Sequence, residues 1–321
     1  MTRSARREPR FFRPVDRSNA LMPFAVEAER LRVFSPPFRF TRFFSPEDSL
    51  LCVCASDAAV RKKAGQHLKI AELTTGSGLV GMSLVLGNKA NSLLGLDVDA
   101  SAIATAAANA ETLHIEDRCR FACADLWSRA TLDYLLAEKC DLIICNPPYV
   151  PEPVGEKLQV EAGAGADGTA HLLRTIELLA CAKPESAVLS WCSLSNPRKV
   201  IDEAHRAGYA LEEVFAVAIA DGEYSGSVQP YLRSLPHAYI CERPVTLQQI
   251  APDGSARFSY LLMSGVFSRR ASDSFSAQIE KWCSDFSRRG IEALTDSAPA
   301  IPSYCWMLDR WDELALRAEL H

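Results

Sequence analysis

The sequence has no apolar run approaching the roughly 18 to 20 continuous residues needed to cross a bilayer, so no membrane span is expected. It has no charged n-region leading into an apolar h-region, and the expected setting is cytoplasmic. Metal-ligand patterns are also missing. Cys119 and Cys123 stand four apart, but no Cys or His pair at zinc spacing accompanies them, so no metal is expected. Eleven cysteines, an odd number, fall mostly inside apolar runs (Cys52, Cys54, Cys140, Cys145, Cys181, Cys192). That is the pattern of buried free thiols in a reducing compartment. Internal repeats and long low-complexity segments are absent.

What is present is an ordinary globular composition. With 48% apolar and 23% charged residues, 321 residues supply a sizeable core in one elaborated α/β domain or two smaller ones. Charge is unevenly spread: residues 1–42 hold ten arginines against four acids, on a chain of net charge −5. Such a basic arm suits contact with RNA or an acidic partner, and equally a solvated terminus. It also resembles an organellar transit peptide, against which its prolines and four acids argue.

From Leu68 onward short apolar runs alternate with helical stretches. Strands are expected at 69–74, 92–97, 118–123, 140–145 and 187–192, with helices at about 78–88, 100–113, 130–138 and 169–182. The alternation predicts a parallel, doubly wound, Rossmann-like α/β sheet with right-handed crossovers. Strands at about 211–219 and 258–268 complete seven, as an antiparallel pair at one edge. Around this domain (65–270) the expected parts are a basic irregular arm (1–30), a hairpin and helix (31–64), and a helical C-terminal extension (271–321). The hairpin covers 31–44, the helix starts at Pro46-Glu47-Asp48, and the extension holds amphipathic stretches at 275–295 and 303–320. Residues 220–257 are too many for a turn and are expected to form a lid or an insertion.

Asn146-Pro147-Pro148-Tyr149 directly follows the apolar run Leu142-Ile143-Ile144-Cys145. Two prolines fix φ and remove two N–H donors, so the turn is stiff and presents acceptors: the Asn146 side-chain oxygen and nearby carbonyls. Tyr149 adds a planar face. An exposed ledge of this kind suits a planar –NH2 group, whose hydrogens want acceptors and whose π-system wants a ring. A rigid turn ending a strand is the plainer alternative.

Glu72-Leu73-Thr74-Thr75-Gly76-Ser77-Gly78 follows the first strand and opens a helix. Gly76 and Gly78 let backbone approach a ligand at the crevice where strands end, and Glu72 is expected near that crevice. Asp97 ends the second strand about 20 residues on, where one carboxylate can accept from both ribose hydroxyls. Asp99 is expected to cap the next helix. Asp125 follows the third strand, positioned to accept from an adenine amine, and Trp127 to cover a ring face. Solvated loop carboxylates are the plainer reading of each acid alone.

In this order, the Gly-rich turn, the acid, Asp-Leu-Trp and the Asn-Pro-Pro-Tyr tetrapeptide resemble class I S-adenosylmethionine-dependent methyltransferases. More narrowly they resemble the release-factor glutamine methyltransferases. Arg42–Leu51 is similar to that family's Pro-Glu-Asp/Thr segment, and Glu161–Ile176 to its Glu…Gly-x-Asp-Gly…Arg-x-Ile stretch. Thr74 stands where the family usually has the first glycine. The resemblance implies S-adenosyl-L-methionine as cofactor, held by Glu72, Thr74, Gly76, Gly78, Asp97, Asp125, Trp127 and Asn146. It also implies a substrate nitrogen held at Asn146, Pro147, Pro148 and Tyr149, with Asn146, Pro147 and Tyr149 carrying the transfer. The implied substrate is a protein glutamine, such as that of a translation release factor. An adenine exocyclic amine of RNA or DNA is a second class, and a non-catalytic binding protein of the same fold a third. His171 is expected to be an ordinary helix-face residue, and the oligomeric state is not legible.

Overall fold

The computed structural model describes residues 10–12, 33, 37–41, 46–242 (except 64, 90, 156, 157, 159–161 and 222), 258–293 (except 271–273 and 291) and 305–309. Five parallel strands form its centre: β2 (Lys69–Leu73), β3 (Ser92–Asp97), β4 (Cys119–Cys123), β5 (Leu142–Cys145) and β6 (Ser186–Cys192). β8 (Ser259–Arg269) pairs antiparallel with both β6 and β7 (Tyr209–Ala220). β9 (Cys305–Asp309) extends the sheet beyond β7, and β1 (Arg10–Phe12) pairs with β9. The full order is β1-β9-β7-β8-β6-β5-β2-β3-β4.

The seven-stranded, doubly wound sheet is therefore present from β2 to β8, with two short strands added at one edge. The antiparallel pair is correspondingly two strands inside that edge. β5 and β6 are buried along their whole length, because helices cover both faces and an apolar run satisfies both. One face packs α1 (Pro46–Arg61), α2 (Leu79–Gly87) and α3 (Ala100–Thr112). The other packs α4 (Arg129–Glu138), α5 (Ala170–Ala182) and two helices considered below.

Sequence and structure differ in several places. α6 (Pro197–Arg206) has no counterpart among the expected helices, although Asn196 caps it by accepting from the Lys199 amide and Pro197 opens it. Residues 305–309 form a strand where a helix is expected. Parallel pairing with Val214–Ala216 of β7 there overrides the local helical period. The three residues 10–12 form a strand inside the arm expected to be irregular. Of the hairpin expected at 31–44, the described residues 33 and 37–41 contain no strand, and the rest lies outside the described residues. α9 (Ser276–Arg289) agrees with the expected 275–295 helix. Its Ile279, Trp282, Cys283 and Phe286 are buried in the same apolar cluster as α5 and α6, so this part of the extension belongs to the main core.

Within 220–257, α7 (Glu223–Ser227) and α8 (Gln229–Ser234) are short helices, and 243–257 lies outside the described residues. The described part is stitched to its surroundings. The Tyr239 amide donates to the Ser193 carbonyl at 2.8 Å, and Cys241 and Ser259 exchange two backbone bonds. Of the six cysteines expected to be buried, Cys181 is exposed on α5, because its position faces away from the sheet. No cluster of potential metal ligands, and no helix long and apolar enough to cross a membrane, occurs among the described residues.

Candidate active site

The chain runs from β2 outward to β3 and β4, then returns to place β5 on the other side of β2. Ligands in open α/β sheets bind at such a reversal, beyond the carboxyl ends of the strands. Leu73 and Cys145 are register partners at the ends of β2 and β5, so the next residues, Thr74 and Asn146, emerge side by side. The Thr74 hydroxyl lies 3.2 Å from the Asn146 carbonyl and 2.5 Å from that of Leu73, and its one proton is shared between them. The proline ledge thus borders the glycine turn.

Thr74, Gly76 and Gly78 all adopt positive φ, at 55°, 53° and 78°. Gly78 precedes α2, and a Cβ there would come within 2.5 Å of the Met82 methyl carbon. Gly76 is uncrowded: a Cβ there would meet only Thr41 Oγ1, in ordinary contact at 3.8 Å. Its amide donates to Asp97 Oδ2 at 2.8 Å. Asp97 Oδ1 accepts from the Asp99 amide at 3.0 Å, and burial raises the pKa of this carboxyl. Asp97 therefore stands at the tip of β3, oriented by two amides. Asp99 caps α3 by accepting from the Ser101 amide at 2.8 Å, as expected.

Glu72 is placed differently from the expectation. It is 4% exposed, and its Oε2 accepts from the Thr75 hydroxyl at 2.8 Å and the Gly81 amide at 3.0 Å. Burial pushes its pKa up to about 7. These donors draw the carboxyl beneath the turn, so it braces the loop from inside instead of standing at the open crevice.

Past the end of β4, Asp125 is exposed and accepts from the Trp127 amide at 2.8 Å. The Trp127 indole is 52% exposed and meets the His171 ring edge to face, with centroids 4.7 Å apart and planes at 75°. His171 sits in the first turn of α5 with an enclosed, unpartnered Nδ1, and burial lowers its pKa. Arg174, one turn on, donates through Nε to the Leu126 carbonyl at 3.1 Å and fixes this loop.

The ledge is less open than expected. Pro147 is buried, while Asn146, Pro148 and Tyr149 are half-buried. Asn146 Oδ1 is enclosed and accepts no hydrogen bond. The Tyr149 hydroxyl donates to Asp48 Oδ2 at 2.5 Å, its ring packs against the apolar cluster that includes α1, and burial raises its pKa well above the usual phenol value. The stretch after the ledge folds back on it. The Val150 amide donates to the Ala162 carbonyl and the Ala164 amide to the Val150 carbonyl, both at 3.0 Å. At Gly168 (φ 72°) a Cβ would lie 2.4 Å from the Tyr149 carbonyl. The adjoining loop is held by Lys199, which pairs with Asp167 at 2.6 Å, and by the Tyr231 hydroxyl, which donates to the Ala166 carbonyl at 2.8 Å.

Residues 58–165, which carry both the turn and the ledge, match the family model described as "Methyltransferase small domain". A protein from Bacillus anthracis named release factor glutamine methyltransferase is 34% identical over 107 residues, which is 33% of this chain and 36% of that one. One of the same name from Bradyrhizobium diazoefficiens is 33% identical over 129 residues, 39% of this chain and 41% of that one. The chain thus spans about two fifths of the length of these relatives. Among solved structures, the E. cuniculi Mtq2–Trm112 complex, described with methylation of the eRF1 translation termination factor, has a TM-score of 0.39 at 15% identity. That alignment covers 71% of this chain and 98% of that one.

Four residues around the ledge and loops were not singled out from the sequence as site residues: Asp48, Gly168, His171 and Arg174. Asp48, Gly168 and Arg174 lie in segments whose resemblance was legible, in the Pro-Glu-Asp run and in the stretch 161–176. His171 carried no sequence signal beyond its neighbours, since its contact with Trp127 depends on how α5 meets the β4 loop.

Proposed function

We propose that this chain is an S-adenosylmethionine-dependent N-methyltransferase whose substrate is the side-chain amide of a protein glutamine, of the kind found in translation release factors. One observation carries the reading: Asn146 Oδ1 is an enclosed acceptor without a donor, on a ledge beside the glycine turn. A buried acceptor left unpaired costs about 1–3 kcal/mol, which an incoming –NH2 group recovers.

The residues present fit the cofactor. Gly76 offers uncrowded backbone, Asp97 a carboxylate fixed by two amides for the ribose hydroxyls, and Asp125 with the exposed Trp127 an acceptor and a flat face for adenine. Glu72 holds the turn in shape from below. When bound, S-adenosylmethionine supplies a methyl carbon on a positively charged sulfur. The substrate –NH2 donates one hydrogen to Asn146 Oδ1 and the other to the Pro147 carbonyl, which turns its lone pair toward that carbon. Pro147 and Pro148 keep these acceptors from rotating away, and Tyr149, anchored at Asp48, lies against the amide plane. Such positioning is worth about 7–11 kcal/mol of barrier, and acceptors facing the charge that develops on nitrogen add an electrostatic contribution. Transfer to that lone pair breaks the carbon–sulfur bond and leaves a neutral thioether, and the product nitrogen, now acidic, releases its proton to water.

The name of these relatives supports glutamine as the acceptor. The test is transfer of a labelled methyl group to a purified release factor, with bulk RNA and DNA in parallel. Label on a glutamine of the protein is expected. Label on adenine would replace the substrate class. No label on any of the three, together with no binding of S-adenosylhomocysteine, would overturn the enzymatic reading.

A further inference from the structure

Thr74 holds φ 55°, a left-handed conformation in which a β-branched side chain is crowded. Among the described residues it is the only β-branched one with positive φ; the other non-glycine cases are His114, Lys139, Lys183, Asn196 and Phe275. A turn that needs this backbone is served by glycine, and the same turn uses glycine at positions 76 and 78. The threonine hydroxyl has one proton and two carbonyls in reach, Leu73 at 2.5 Å and Asn146 at 3.2 Å, with the Cys145 sulfur at 3.9 Å. Glycine would relieve the crowding and would lose the contact with Asn146.

We propose that Thr74 is a positioning residue that ties the glycine turn to the main chain of the proline ledge. Its hydroxyl holds the Asn146 carbonyl, and this fixes where the unpartnered Asn146 Oδ1 points. The role rests on the methyltransferase reading, but the tie has consequences visible without activity. Pro147 and Pro148 have no N–H, so the backbone after Asn146 offers no amide until Tyr149, and a side chain from the neighbouring strand's end supplies the hold. The ledge is thus fixed from two directions: Thr74 at its first residue and Asp48 at its last.

The experiment compares wild type with Thr74→Gly and Thr74→Ser. Thr74→Gly is expected to raise Tm by about 2 °C through relief of the strained backbone. It should lower kcat about tenfold and keep S-adenosylhomocysteine affinity within about threefold. Thr74→Ser, which keeps the hydroxyl, should restore most of kcat. A purely structural threonine would not move stability and turnover in opposite directions. Thr74→Gly turning over like wild type, or Thr74→Ser as slow as Thr74→Gly, would overturn the tie. Hydrogen exchange separates this from a failure of the enzymatic reading. The Tyr149 and Val150 amides should exchange faster in Thr74→Gly than in wild type or Thr74→Ser, whether or not any substrate is methylated. Equal exchange in all three would sink the proposal even in an active enzyme.

Discussion

The Tyr149 hydroxyl and the Asp48 carboxylate meet at 2.5 Å across 101 residues of sequence, joining the end of the ledge to the first turn of α1. The helix is held in turn by Leu50, Leu51 and Cys52, all essentially inaccessible to solvent. The N-terminal segment is therefore part of the site, although the family model begins at residue 58. A hydrogen bond to a charged partner contributes about 1.5–3 kcal/mol. Asp48→Ala and Tyr149→Phe should each lower stability on that scale. Their double mutant should lose markedly less than the sum in urea denaturation. Additive losses would mean the two groups do not interact in solution.

Asn146→Ala should leave S-adenosylhomocysteine binding largely intact and lower turnover by about tenfold to a thousandfold, on the scale of one lost transition-state hydrogen bond. Removing the enclosed acceptor also removes its unpaired burial, so the apo protein should not be destabilised through that atom. Steady-state kinetics beside thermal denaturation checks both halves. Turnover equal to wild type would take the ledge out of the mechanism.

Asp97→Ala removes the acceptor for the Gly76 amide as well as the ribose partner. Calorimetric titration with S-adenosylhomocysteine should show affinity reduced at least about tenfold, the equivalent of about 1.4 kcal/mol. An unaltered affinity would put the ribose elsewhere.

Glu72 gives a pH signature. Burial, first among the causes, lifts its folded pKa from 4.5 to about 7. Between those values the folded state holds a proton that the unfolded chain has released, so this group's contribution to stability is present below about pH 4.5 and is lost as pH rises through 7. Glu72→Gln keeps an acceptor oxygen for Thr75 and Gly81 but cannot ionise. Relative to wild type, the variant should gain stability from pH 5 to pH 8, by on the order of 3 kcal/mol at most. Parallel stability curves over that range, measured by denaturant unfolding, would refute the placement of this proton.

Much of this was legible in the chain. The β/α alternation from Leu68 gave the parallel centre of the sheet, because a strand covered on both faces must be apolar throughout, as Leu142–Cys145 is. The Gly76, Asp97 and Asn146 positions followed from their places at strand ends. The strand at 305–309 was not legible, because its partner is β7, about 90 residues earlier, and short apolar runs do not declare their pairing. α6 is different: its Asn196-Pro197 start is a local helix signal that stands in the sequence itself.

Local rules alone determined where strands end, where the chain must be stiff and which residues could offer oxygen acceptors. Tertiary packing decided which of those oxygens stay available. Glu72 looked open and is consumed by Thr75 and Gly81, while Asn146 Oδ1 is enclosed and left without a donor. The reason is that a side chain's hydrogen-bonding capacity is spent on whatever donors the fold brings near. For Glu72 those donors are near in sequence and the turn aims them inward, whereas the ledge's neighbours come from Thr74, α1 and the loop at Gly168, separations that no local pattern encodes.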